Sequence, residues 1–155
     1  MTNKKTPHVR DVANYIIQLA NENMEEWFWC SEWITHLKLQ KMLYFVQAAF
    51  LSNLNKKAFD EKIVAYQYWP VVESIYREYK VMKSFPLSVD DWWTDDCLSE
   101  EDKKAIRRVW EIFWWYSSSR LVEMTHQHDP WKSTKQSEEI DTNKIKEYYS
   151  WRIVL

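Results

Sequence analysis

The densest set of side chains able to do chemistry lies at residues 125–129, which read Thr-His-Gln-His-Asp. Two imidazoles and a carboxylate are zinc-ligand types, with His36 as a distant fourth candidate. A metal-dependent enzyme built on His126, His128 and Asp129 is one function this composition allows. The His-x-His spacing is weakly specific, and the helical His-Glu-x-x-His arrangement is absent. The plainer reading has Thr125 and His126 ending a helix while Asp129-Pro130-Trp131 turns the chain. Serines, histidines and acids are all present, but no nucleophile elbow marks any serine. The chain contains no glycine, so a phosphate-cradling loop of the P-loop type is not supported. Cys30 and Cys97 lack metal-type spacing, and nothing in the sequence activates either thiol. Residues 90–102 hold many carboxylates, the pattern of a solvated face. The sequence therefore assigns no catalytic residue, no metal and no cofactor.

Side chains suited to binding are easier to find. Lys38, Gln40 and Lys41 fall on the polar side of an otherwise apolar helical segment, where solvent exposure is the ordinary expectation. Tyr66, Tyr68, Tyr76 and Tyr79 cluster within residues 66–80. A tyrosine packs an apolar body and keeps one polar handle, which suits a core and an interface equally well.

The elements that must position these residues belong to one domain. The chain has 155 residues, with 46% apolar and 28% charged side chains, an ordinary globular balance. Its net charge of -2 lacks the basic excess of a nucleic-acid binder, so no direct nucleic-acid binding is expected. No apolar run approaches the roughly 18 residues of a membrane span. No apolar stretch follows the basic residues at the start, so no secretory leader and a cytoplasmic location are expected. Helical spacing of apolar residues predicts a first helix opening at Thr6-Pro7 and running to about Ala20, then a loop over residues 21–32. A second helix, capped by Thr35 and reaching about Leu51, carries Leu39, Met42, Leu43 and Val46 and reads as the central core helix. A short strand is predicted over residues 62–68, ended by Trp69-Pro70. A third helix through Val72, Ile75, Tyr76 and Tyr79 follows, then an acidic loop over residues 85–96. Ser99 with Asp102 resembles a capping box for a fourth helix. A fifth helix over residues 117–125, a polar loop over 126–139 and a last helix over 140–149 complete the chain. The expected fold is mainly α: a compact single-domain bundle of about five to six helices with a short β element. Residues 1–8 and 150–155 are expected as tails to a domain of residues 9–149.

Eleven tryptophans stand beside the missing glycines, where average usage would give roughly eleven glycines. Trp110 reads as core and Trp131 as a loop anchor. Trp27, Trp29, Trp33, Trp69, Trp92, Trp93, Trp114, Trp115 and Trp151 sit mostly at expected turns and helix ends, which are glycine places. A codon read as tryptophan in place of glycine, deliberate substitution, or a natural tryptophan-rich surface would each produce this pattern. With tryptophan in place, strained or exposed loops are expected.

Three ordered blocks carry a resemblance: THLKLQKMLYFVQAAFL at residues 35–51, FDEKIVAYQYWPVVESIYREYK at 59–80, and LVEMTHQHDPW at 121–131. They resemble the Panacea domain, also labelled SocA-like or GepA-type phage-associated, over nearly the whole chain. The motif residues are Leu39, Gln40, Tyr44, Trp69, Pro70, Val71, Thr125, His126, Pro130 and Trp131. The family carries glycine where this chain has Trp69, and commonly where Trp114 stands. The resemblance implies a non-enzymatic antitoxin of a toxin-antitoxin system. It would neutralise a cognate toxin, encoded by the adjacent gene, through direct protein-protein binding. An alternative is an adaptor that delivers the toxin to a AAA+ protease. Many relatives add a DNA-binding segment, for which this chain is expected to have no spare length. Lys38, Lys41, Tyr68, Tyr76 and Tyr79 are the expected partner contacts.

Overall fold

The computed structural model describes residues 5–26 and 33–155. Trp27, Trp29 and Cys30, with the second half of the expected loop after the first helix, lie outside the described residues. The fold is mainly helical with a small two-stranded antiparallel sheet. No described helix is long and apolar enough to cross a membrane.

Helix α1 spans Val9–Glu26. Its start is set by His8, whose Nδ1 accepts the Arg10 amide at 3.0 Å, and not by Thr6. It outlasts its expected end because Met24, buried, extends the stripe of Ala13, Ile16, Ile17 and Ala20 by one more turn. Helix α2 spans His36–Ala49 and is buried from Lys38 onward. Thr35 occupies its N-cap position, but the hydroxyl makes no capping bond. A π-helical turn, Phe50–Leu54, continues α2 and stops at Asn55, whose φ of 52° is left-handed, a conformation asparagine tolerates.

Strands β1 (Ile63–Ala65) and β2 (Pro70–Val72) pair antiparallel with Val64 opposite Val71. The expected strand is therefore shorter, and Val72 belongs to a strand instead of opening a helix. Helix α3, Glu73–Tyr79, follows directly and ends in a 3-10 turn, Lys80–Met82. Helix α4, Glu100–Phe113, is capped as expected: Ser99 Oγ accepts the Asp102 amide at 3.1 Å. Ser117 likewise caps α5, Ser118–Gln127. The segment after α5 is more ordered than a polar loop. It forms α6, Asp129–Lys132. It then lies along β1, where Ala65 donates to the Glu138 carbonyl at 2.9 Å and Ile140 to the Ile63 carbonyl at 2.8 Å. Helix α7, Thr142–Tyr149, is capped by Asp141. The expected C-terminal tail is docked as well: Ile153 is buried, and its carbonyl accepts from Asn53 Nδ2 at 2.9 Å.

Helices α1, α4, α5 and α7 and the hairpin all pack on α2. Its buried polar residues decide where the hairpin goes. Gln40 Oε1 accepts the Val72 amide at 2.9 Å, and Nε2 donates to the Val72 carbonyl at 3.2 Å. Gln47 repeats this one heptad on: Oε1 accepts the Ala58 amide at 2.7 Å, and Nε2 donates to the Phe59 carbonyl at 2.8 Å. Each glutamine thus mimics one strand residue and pins the backbone on one side of the hairpin.

Among the described residues, the left-handed non-glycine positions are Asn55, Lys83 and Ser137. None of Trp33, Trp69, Trp92, Trp93, Trp114, Trp115 or Trp151 is among them, so at the described tryptophans the expected left-handed strain does not occur. Trp114, for example, continues α4 in right-handed geometry. Exposure does occur: Trp33, Trp92, Trp115 and Trp151 stand in solvent. Trp93 is buried, and its Nε1 donates to Asp11 at 3.1 Å.

Replacing Gln47 by leucine leaves the Ala58 amide and Phe59 carbonyl without partners in the core. Each orphaned buried group costs about 1–3 kcal/mol, so Gln47→Leu is expected to lower unfolding stability by about 2–4 kcal/mol in urea titration. An unchanged midpoint would mean the clamp contributes nothing.

Candidate functional site

The three sequence blocks meet at one face. It is formed by the first turns of α2, the turn between β1 and β2, helix α3, and the α5–α6 junction. The Tyr66 amide closes the hairpin by donating to the Trp69 carbonyl at 3.0 Å. Around it the aromatic rings form a connected set. His36 on α2 meets Tyr76 on α3 edge-on at 6.2 Å, and Tyr76 meets Tyr66 edge-on at 5.6 Å. Tyr66 OH donates to Glu73 Oε1 at 3.2 Å. Across the hairpin, Trp131 Nε1 donates to the Tyr66 carbonyl at 2.9 Å. Trp131 also stacks on His126 at 4.6 Å between ring centres. His126 Nε2 is hydrogen-bonded to the Tyr68 carbonyl. A carbonyl can only accept, so that nitrogen carries the proton.

These contacts assign the motif histidines. His126 holds the hairpin, and His128 turns the other way, its Nδ1 hydrogen-bonded to the Tyr149 hydroxyl. Tyr149 in turn donates to Tyr44 at 3.3 Å. Burial lowers the His128 pKa to about 4, with Arg152 adding to the effect. Burial also raises Tyr44 and Tyr149 far above the ordinary phenol value. The imidazole therefore stays neutral and both phenols stay protonated near neutral pH, as suits a buried strut. The two imidazoles do not converge, and among the described residues no three His, Cys, Asp or Glu side chains gather into a metal-holding group. Thr125 is buried, with its hydroxyl donating to the Val122 carbonyl at 2.9 Å.

The acidic stretch is not simply solvated. Asp90 makes a two-point ion pair with Arg10, at 2.8 and 3.0 Å, and accepts from Asn14. The hydrogen bond from Arg10 chiefly holds the Asp90 pKa below its usual value. Asp102 is buried and pairs with Lys56 at 2.7 Å. For Cys97, burial and then the Asp11 charge push the thiol pKa up, away from the reactive range.

The expected contact residues separate into two groups. Tyr68 is 55% exposed and Tyr76 is half-buried at the surface of the face. Lys38, Gln40, Lys41 and Tyr79 are buried, so the expectation that the polar side of α2 faces solvent fails. The hairpin, α4 and α5 cover that side. Lys38 gains partners there: its ammonium donates to the Trp114 carbonyl at the end of α4, where a cation also suits the helix dipole. Lys41 does not. It is 0% exposed, and among the described residues its ammonium has no hydrogen-bond partner. Its ammonium stands over the Trp69 ring, 4.5 Å from Nζ to the ring centre. Burial drives the Lys41 pKa well below 10.5. Sequence reasoning missed His36 as a member of this face and Gln47 as a clamp. The heptad spacing of Gln40 and Gln47 on an otherwise apolar helix was the available signal for the clamp.

On the far side, a cavity of about 460 Å³ lies between the outer surface of α4 and the chain end, bordered by Leu54, Ala105, Arg108 and Leu155.

A family model described as antitoxin SocA-like, Panacea domain, matches residues 39–132. The matched span begins in α2 and ends with α6, and so holds Gln40, Lys41, the hairpin, His126 and Trp131. No curated protein and no solved structure matches the chain.

An unpaired buried ammonium costs several kcal/mol, of which a cation–π contact returns about 2. Lys41→Met keeps the stem and removes the charge, so it is expected to raise stability by about 1–4 kcal/mol. The sign in pH follows from the same burial. The unfolded chain keeps this proton up to about pH 10.5, and the folded chain releases it earlier. Wild-type stability therefore rises with pH across that window, and Lys41→Met lacks that contribution. Denaturant titrations at several pH values check both, and a destabilised Lys41→Met would show that the ammonium has a stabilising partner.

Proposed function

The chain belongs to the SocA-like antitoxin family that carries the Panacea domain, and from that premise we propose that it neutralises a cognate toxin by direct protein-protein binding. The observation that carries this reading is the convergence of the three motif blocks on one aromatic face inside the matched span. Tyrosine and tryptophan supply large contact area at little entropic cost, and such residues dominate the binding energy of interfaces. A stable complex needs on the order of 800 Å² from each partner. The hairpin turn, α3 and the α5–α6 junction form the contact surface, with Tyr68 and Tyr76 as its anchors. Lys38 and Tyr79 support this surface from beneath. The toxin is the product of the adjacent gene, and both proteins act in the cytoplasm. Binding alone suffices, without delivery to a AAA+ protease.

A growth-rescue assay tests this. The neighbouring open reading frame is expressed alone and then with this chain, in ordinary and protease-deficient strains. Toxicity that co-expression relieves in both strains is expected. Tyr68→Ala and Tyr76→Ala should each weaken the purified complex by about 2 kcal/mol or more. A harmless neighbour, or toxicity left unrelieved, would contradict the antitoxin role. Rescue confined to the protease-proficient strain would replace inhibition by delivery.

A further inference from the structure

At Lys41 the fold leaves a charged donor without an acceptor among the described residues, with a cover over it. The ammonium is fully buried, and among the described residues no carboxylate or carbonyl accepts from it. Of the other buried polar atoms without a partner among the described residues, two belong to residues tied to Lys41, Trp69 Nε1 and His36 Nδ1. His36 senses the lysine, because after burial the Lys41 charge is the next cause lowering its pKa. Trp69 lies over the ammonium from the hairpin turn and is itself only partly buried. The unpaired ammonium thus lies behind an indole that is itself partly at the surface. Proteins rarely leave buried polar groups unpaired without a use for them.

The geometry points to Lys41 as a receptor for one carboxylate group carried by an acidic side chain of the protein partner, with the Trp69 indole as the cover that moves aside. That the carboxylate arrives on a protein rests on the antitoxin reading. Its chemistry does not. A singly charged carboxylate matches the one ammonium left once the indole has moved aside. Phosphate, near two negative charges, would need more donors than this spot offers. The cation–π contact holds the lysine in the free chain and is exchanged for a charge-assisted hydrogen bond in the complex. A buried charge paired across an interface is lost at high cost when one partner is removed, often about 30-fold or more in affinity.

The test has two arms. In the first, the chain is labelled with carbon-13 at lysine Cε, and the Lys41 signal is assigned by its absence from Lys41→Met. Trp69→Ala removes the cover, and alanine fits there because Trp69 is not a left-handed position. Sodium acetate should shift the Lys41 signal saturably, and sodium chloride at equal ionic strength should not. No saturable shift, or tighter binding of phosphate than acetate, would overturn the carboxylate assignment. In the second arm, the purified product of the neighbouring reading frame is titrated with wild type and Lys41→Met. The variant should bind about 30-fold more weakly or worse while folding at least as well. Full affinity of Lys41→Met would overturn the receptor. A wild type that ignores the neighbour would sink the antitoxin reading, and the acetate arm would still decide the receptor.

Discussion

A helix buried on every side must supply partners for its own polar atoms or have none. Helix α2 carries three kinds of answer to that constraint. Gln40 and Gln47 each bond backbone through both the oxygen and the nitrogen of the side-chain amide, and in doing so they fix Val72 and the Ala58–Phe59 segment. The hairpin between those anchor points has little freedom left. Its turn must fall over the first half of α2, and Trp69 lands on Lys41 for that reason. The same placement brings Tyr66 and Tyr68 within reach of Trp131 and His126.

Lys38 and Lys41 show how much one turn of helix matters. Both are buried, yet Lys38 reaches the open carbonyl end of α4 and Lys41 reaches only a ring. The first arrangement stabilises a helix terminus, and the second leaves a charge that the protein disfavours. Proteins tolerate such local cost mainly where function needs it. The rest of the fold absorbs it. The stacked pair Phe45 and Phe113, at 4.2 Å, joins α2 to α4, and the Tyr44–Tyr149–His128 chain joins α2 to α7 and the α5–α6 junction.

Local patterns in the sequence reported local structure well. The apolar stripes located the main helices, Ser99 with Asp102 marked a real cap, and Leu39, Met42 and Val46 marked the central helix. What the sequence concealed was set by distant contacts. Lys38, Gln40 and Lys41 look like a solvated stripe because periodicity cannot show that a hairpin will cover them. Val72 looks helical because its strand partner lies nine residues back at Ile63 and its other partner is a glutamine side chain. Residues 137–140 look like loop because their partner is the edge of β1. The family blocks were legible as three separate motifs, and their convergence was not. The tryptophans misled in a different way. Their positions suggested turns that need left-handed backbone, and the described ones sit in right-handed or extended turns that any residue can adopt.

The partner's binding face decides whether the aromatic surface is the contact surface. Hydrogen exchange of the chain, alone and saturated with the product of the neighbouring toxic gene, measures this directly. Slowed exchange at the turn amides of Gln67 and Tyr68 and along α3 is the expected result. Slowing confined to the opposite side, around Leu54, Arg108 and Leu155, would contradict it.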